Sequence, residues 1–265
     1  SVQLADGSGL FAPHVVAAMG GSAAPSMGTD GTGARLMQAL GHEITPLYPA
    51  LVQLRCSHPA LKGLKGIRTQ AELTLMIDDQ AVLRETGELL LTDYGVSGVC
   101  VFQLSREAAP ALAQGRSVRL AVNFLPEIPS LLPWLDARIR QLAPTSLLAL
   151  TTGVLPRLLA QTVIREARLS PDMPAEALSE SEKQALCGAL SAFPLVVTGT
   201  QGFANAQVTR GGVSLADVDP STMASRLFDG LHIIGELLDV DGPCGGYNLH
   251  FAFAGALAAV KAIAG

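Results

Sequence analysis

The residues best placed to do chemistry lie in one stretch, DVDGPCGGYNLHFAFAGALAA, from Asp239 to Ala259. Acids and glycines there stand directly before a nearly charge-free run. Gly242, Gly245 and Gly246 have no Cβ to hold a ligand off, so their amides can approach one closely. The run Leu249 to Val260 is apolar on every side, and the pattern predicts a helix buried within a larger core rather than lying at the surface. Asn248 is placed to cap it, with Lys261 at the negative end of its dipole. The amides at the head of such a helix suit something polar and flat, or anionic. Upstream, LHIIGE reads as a buried strand ending at Gly235 and Glu236, and Glu236 and Asp239 form a pair of acids after that strand end.

Other clusters offer less. The loop Met27 to Gly33 could form an anion nest before a helix, but it lacks the Lys-Ser/Thr ending of a P-loop, and no GxGxxG occurs in the chain. The five histidines have no ligand spacing and the four cysteines no CxxC pair, so no metal site is expected. Cys244 lies in the glycine loop without a basic neighbour in sequence and reads as a packing residue. Ser97, in GVSG, lacks the spacing of a nucleophile elbow. No catalytic acid or base can be named from these patterns.

The elements that must position the loop follow from periodicity. Val15 to Ala18 reads as a short strand ending in Gly20-Gly21, followed by a helix near Ala34 to Leu40 that Gly41 stops. From Pro46 the runs ALVQL, ELTLMI, AVLRE, ELLLT, VCVFQL and VRLAVNF suggest the strands of a small barrel. Alternation puts Val118, Leu120, Val122 and Phe124 on its inner face. Ile128 to Leu190 is helical by pattern, with a capping box at Ser179-x-x-Glu182. FPLVVTGT then returns to the barrel. The expected fold class is α/β plus β, with HVVAAMGG and LHIIGE as neighbours in one sheet.

Composition narrows the function. Hydrophobic residues make up 49% and charged residues 15% of the 265, mean hydropathy is +0.36, and the net charge is −5. An acidic chain is a poor match for nucleic acid or an anionic membrane, so neither is expected as a partner. The charge-free segments are broken by Pro, Gly, Asn or His and do not read as membrane spans. Scattered cysteines and no secretory leader pattern place the chain in the cytoplasm.

Several segments together resemble the BaiN-like flavoproteins, also called the aminoacetone-oxidase family. They are VVAAMGG (15–21), GTDGTGARLMQALGH (28–42), PLYPALVQL, LKGLKGI, ELLLTDYGVSG, VVTGTQGFANAQVTRGGV (196–213) and LHIIGELLDVDGPCGGYNLHFAFAGA. The resemblance implies an FAD-dependent oxidoreductase that transfers hydride to or from a small-molecule substrate, and it admits a link to NAD(P)H. It implies a Rossmann-like FAD-binding domain at 1–45 and 212–265, interrupted by a β-barrel at 46–127 and 192–211 that carries a helical subdomain at 128–191. At the flavin it places Gly20 and Gly21, Glu236 and Asp239, and Gly242, Gly245, Gly246, Tyr247 and Asn248. Thr209, Gly211 and Gly212 lie nearby. Two departures stand out: Met19 replaces the family's usual Thr, and the acid of the second glycine loop sits at Asp30. The family's opening βαβ unit, with its GxGxxG turn, is not among these residues. FAD binding by this chain is therefore expected to be weak or absent, and self-association through an uncovered sheet face is expected. The alternative is a truncated, non-catalytic module that acts, if at all, through a protein partner.

Overall fold

Six strands between Leu54 and Thr200, alternating buried and outward residues, build a closed barrel. The computed structural model describes residues 1–265, and the chain divides into two compact units: 1–51 with 201–265, and 52–200. In chain order the strands are β1 (Val2–Gln3), β2 (Gly9–Leu10), β3 (Val15–Ala17), β4 (Tyr48–Ala50), β5 (Leu54–Ser57), β6 (Arg68–Ile77), β7 (Gln80–Leu91), β8 (Gly95–Ser97), β9 (Val118–Asn123), β10 (Phe193–Thr200), β11 (Val208–Arg210) and β12 (Leu231–Ile233). The helices are α1 (Thr32–Ala39), α2 (Val99–Ala113), α3 (Leu131–Leu142), α4 (Leu147–Leu150), α5 (Arg157–Glu166), α6 (Glu180–Ser191) and α7 (Tyr247–Ala264).

In the second unit the barrel order is β10-β5-β8-β7-β6-β9. As expected, PLVVTGT returns: β10 pairs with both β5 and β9, so no strand edge is left open. Asp78 and Asp79, both at positive φ, make the two-residue turn between β6 and β7 that suits the twist of the hairpin. Leu54, Leu73, Leu75, Leu89, Leu120 and Val122 fill the interior. Helices α3 to α6 lie between β9 and β10 in the chain, and the capping box at Ser179 and Glu182 opens α6.

The first unit is built on two parallel strands. β12 pairs with β3 in the register Leu231 with Val15 and Ile233 with Ala17, which makes them the neighbours the sequence pattern called for. Met37, Val213, Ile233, Leu237 and Leu238 form the core beside them.

Four expectations are corrected. VCVFQL, read as a strand, opens α2; its buried residues Cys100, Val101, Leu104, Ala108 and Ala111 follow helical spacing, which a short apolar run cannot reveal. Residues 46–51 and 201–211 belong to the first unit rather than the barrel, because β4 pairs with β11 in a separate two-stranded sheet. Helix α7 is not a buried core helix: only Gly255 and Ala259 are buried, while Leu249, Phe253 and Leu257 are 69%, 70% and 62% exposed. It docks through small residues and Phe251: a Cβ added at Gly255 would lie within 4 Å of Met223 and Ile234, Phe251 packs on the core, and Leu249, Phe253 and Leu257 stay exposed. By length and composition alone α7 could also cross a membrane, which the sequence pattern had not suggested. Finally, Asn248 does not cap α7; Gly246 occupies the cap in a left-handed conformation, and the Asn248 side chain turns back to the loop.

Burial sets opposite outcomes for two apolar substitutions. Leu120→Ala should lower the unfolding free energy by about 2 to 5 kcal/mol. Phe253→Ser, on the exposed face of α7, should change it by less than about 0.5 kcal/mol. Urea unfolding of both variants checks the pair, and a large loss from Phe253→Ser would contradict the exposure of that face.

Candidate functional site

Parallel strands end on the same edge, and the crevice beyond their carboxyl ends is where open α/β sheets take ligands. β3 runs out into Met19-Gly20-Gly21 and β12 into Ile234-Gly235-Glu236. Gly21 is the tightest point. A Cβ there would collide with Thr209 Oγ1 and with Glu236 Oε1, so only glycine fits. The Thr209 hydroxyl accepts from the amides of Ser22 at 2.7 Å and Ala23 at 3.0 Å, and the Thr209 amide donates to Glu236 Oε1 at 2.9 Å. Thr29 donates its hydroxyl to the Gly21 carbonyl. Thr209 is itself fully buried on β11.

Glu236 is half-buried. Burial pushes its carboxyl above the usual range, and the hydrogen bond from Thr209 opposes that without reversing it. A cavity of about 320 Å³ opens beside it, lined also by Cys244, Gly245, Gly246, Asn248 and Phe251. Asn248 closes the loop as a clamp: its Oδ1 accepts from the Gly242 amide at 2.7 Å and its Nδ2 donates to the Gly242 carbonyl at 3.0 Å. Since no side chain caps α7, the amides of its first turn have no intrahelical acceptor. The cavity therefore combines an uncapped helix N-terminus, a half-buried carboxyl and apolar walls.

Of the residues expected at the flavin, Glu236, Gly245, Gly246 and Asn248 line this cavity, and Gly21 and Thr209 lie in the network behind Glu236. Gly242 is in the clamp, and Gly20 packs near Thr29. Gly211 and Gly212 sit at positive φ where a Cβ would strike the carbonyls of Pro46 and Leu237, so they serve close backbone packing. Tyr247 is largely exposed, and neither it nor Asp239 lines the cavity. The loop before α1 is occupied by its own acid: Asp30 Oδ1 accepts the Thr32 amide at 2.8 Å, which fills the nest an anion would need. Sequence reasoning missed Gln207 and Phe251 as lining residues and took Cys244 for packing. Cys244 lines the cavity, with its thiol 3.8 Å from Gln207 Oε1. Its place in the glycine loop was the available signal; Gln207 had none.

A Rossmann-type crevice with glycines at both strand ends defines the class, and comparison with known proteins gives the family. The pattern of the family described as "HI0933-like protein Rossmann domain" matches residues 1–262. The chain belongs to this family, and the flavoprotein resemblance carried by its motifs is borne out. It is 38% identical to the 3-dehydro-bile acid delta(4,6)-reductase of Clostridium scindens over 269 residues, covering 98% of this chain and 64% of that protein. It is also 31% identical to the ribosomal RNA dihydrouridine synthase of Escherichia coli over 251 residues, covering 93% of this chain and 60% of that protein. The chain thus spans somewhat under two thirds of the relatives it matches.

Two substitutions test the network. Thr209→Val leaves the Ser22 and Ala23 amides without an acceptor; Ala23 is buried, and the expected cost is about 1 to 3 kcal/mol in urea unfolding. For Glu236, a folded-state pKa above the unfolded value means the folded protein binds the proton more tightly. That contribution is complete below the ordinary carboxyl range and is lost as pH rises through the folded value. Glu236→Gln should therefore gain stability over the parent at neutral pH, and the gain should vanish in acid. A gain that persists unchanged at low pH would contradict the assignment.

Proposed function

We propose that this chain forms the ring-facing part of an FAD-dependent oxidoreductase, with the barrel and its helices as an insertion in the flavin-binding domain. The observation that carries the reading is the Gly21 cradle: a position where a Cβ would fill the space between Thr209 and Glu236, beside an uncapped helix N-terminus. That donor set fits a flavin. Bound there, the flavin supplies two-electron hydride chemistry. The first-turn amides of α7 and the loop Gly242 to Asn248 offer positive ends to the carbonyl edge of the ring, which favours its anionic reduced form. Glu236, fixed by the Thr209 amide on its Oε1, stands at the cavity wall as a polar group facing the ligand. Phe251, Leu51 and Ala252 exclude water from the apolar side of the cavity.

The relatives' names, a reductase and a dihydrouridine synthase, support a reductive direction. In this reading a reduced nicotinamide supplies the electrons and an unsaturated small-molecule substrate receives them. The residues present address the ring, so an FAD molecule whose adenosine half is unanchored must meet the full cost of immobilising a flexible ligand. Weak binding of FAD by these 265 residues is the expected result.

The test is a titration followed by flavin fluorescence. FMN and FAD should quench with similarly weak affinity, and Gly21→Val should abolish both. Flavin binding undiminished in Gly21→Val would overturn the placement of the ring.

A further inference from the structure

Histidine has two ring nitrogens, and what each one faces decides what else the ring can hold. In His42 both are engaged by the fold: Nδ1 faces the Met37 carbonyl at 3.2 Å and Nε2 faces Ser225 Oγ at 2.9 Å. In His58 Nδ1 accepts the Ala60 amide at 3.2 Å, and Nε2 faces Glu166 Oε2 at 3.3 Å. His14 and His232 differ, because they face each other, with His14 Nδ1 3.3 Å from His232 Nε2. Sequence spacing argues against a metal ion only for ligands near one another along the chain. These two stand 218 residues apart and meet because β3 and β12 lie side by side.

His232 is buried in the middle of β12. Its Nδ1 lies 3.0 Å from the Thr222 carbonyl, which can only accept, so Nδ1 carries the hydrogen and the neutral ring keeps its lone pair on Nε2. The carbonyl is held in place. The Ile233 amide donates to the Met223 carbonyl at 2.8 Å, and Met223 takes a left-handed φ of 56°, which sets the direction of the peptide that carries the Thr222 oxygen. An imidazole that gives one N–H to a backbone carbonyl and presents its other nitrogen is oriented as metal-bound histidines are. Its partner His14 is exposed and stands just before β3.

We propose that His14 Nδ1 and His232 Nε2 together bind a divalent transition-metal ion, with Zn²⁺ as the type. Metal–imidazole bonds of about 2.0 to 2.1 Å, closed over a nitrogen separation of 3.3 Å, give an angle at the metal of roughly 105 to 110°, close to tetrahedral. The ion takes the place of the hydrogen shared between the rings. That hydrogen leaves His14 Nδ1 and water returns one to His14 Nε2, so the two neutral rings release no net proton. His14 must tilt to bring its lone pair off the line joining the two nitrogens, and its exposure allows this.

No third histidine, cysteine, aspartate or glutamate joins the pair, so the remaining positions on the ion are filled by water. Two imidazoles select zinc, nickel or copper ions over magnesium and calcium, which require oxygen ligands. The ion ties the entry of β3 to the middle of β12, and so fastens the parallel pair from the side opposite its glycine-marked ends. Because the two ligands are far apart in sequence, only the folded chain presents both, and binding is therefore coupled to stability. The site lies outside the residues of the flavin cavity and the inference does not rest on a bound flavin.

The experiment is calorimetric titration of the untagged 265-residue chain with Zn²⁺, beside melting curves with and without the ion. One equivalent should bind, Mg²⁺ should not compete, and Zn²⁺ at about a hundred times its dissociation constant should raise the melting temperature by roughly 5 to 10 °C. Losing a ligand costs at least what losing an outer partner costs, so His14→Gln should weaken binding by about tenfold or more and remove the thermal shift. His232→Gln should do the same; since that ring is buried and may be needed for folding, the exposed His14 variant carries the test by itself. His250→Gln, on the exposed first turn of α7, should change nothing. Co²⁺ in place of Zn²⁺ should give the visible absorption of a nitrogen and oxygen site without a thiolate charge-transfer band. The proposal is overturned if no saturable equivalent of Zn²⁺ binds, if His14→Gln binds as tightly as the parent, or if a thiolate band shows that the cysteines hold the ion.

Discussion

Strands β3 and β12 run parallel, and a parallel pair cannot be closed by a turn: the chain must leave one end and travel back to the other. Everything from Ala18 to Gly230 is that connection. A closed barrel suits such a detour, because closure removes the strand edges that would otherwise demand partners. The detour must also begin and end close together, and each unit has its own strand pair that secures this. In the first unit Ala50 pairs with Val208, just before the chain leaves and just after it returns. In the second, Leu54 pairs with Thr200, the first and last barrel positions. A long excursion costs little more in loop entropy than a short one once its ends are held. The parallel pair can therefore tolerate an insertion larger than itself.

What the parallel pair produces is an edge where two glycine-marked strand ends meet. Gly21 brings the Thr209 hydroxyl under two amides and lets Glu236 come close enough to take the Thr209 amide. Two forces then compete at Glu236. The amide bond favours the carboxylate, burial favours the acid, and burial prevails. With α7 uncapped, the cavity presents the N–H groups of its first turn beside a half-buried carboxyl. Those N–H groups suit an acceptor on whatever enters the cavity.

Much of this was legible in the sequence, for identifiable reasons. The barrel showed itself through alternation in Val118 to Phe124 and the return of FPLVVTGT, and α6 through the reciprocal bonds of Ser179 and Glu182. The parallel pair was legible because both strands are short, apolar and end in glycine. Failures came where a local pattern leaves the partner unspecified. An all-apolar helix says that something could cover it, not that this chain does, and α7 keeps Phe253 and Leu257 in the open. Asn248 had the right chemistry for a cap, but the Gly242 amide and carbonyl offered it two bonds where a cap offers one. Cavity residues contributed from distant strands, such as Gln207, carry no local mark at all.

Net charge fails in the same way, since it is a sum over positions that do not act together. At physiological salt an exposed charge is felt over about 8 Å, far less than the span of a chain folded into two units. On the barrel, Lys65, Arg68 and Arg116 are each met by a carboxylate where they stand. The acids that make the chain negative lie in the other unit, where Asp217 and Asp219 accept backbone amides and Glu236 sits half-buried. Specific partners respond to which charges remain unpaired and in what arrangement.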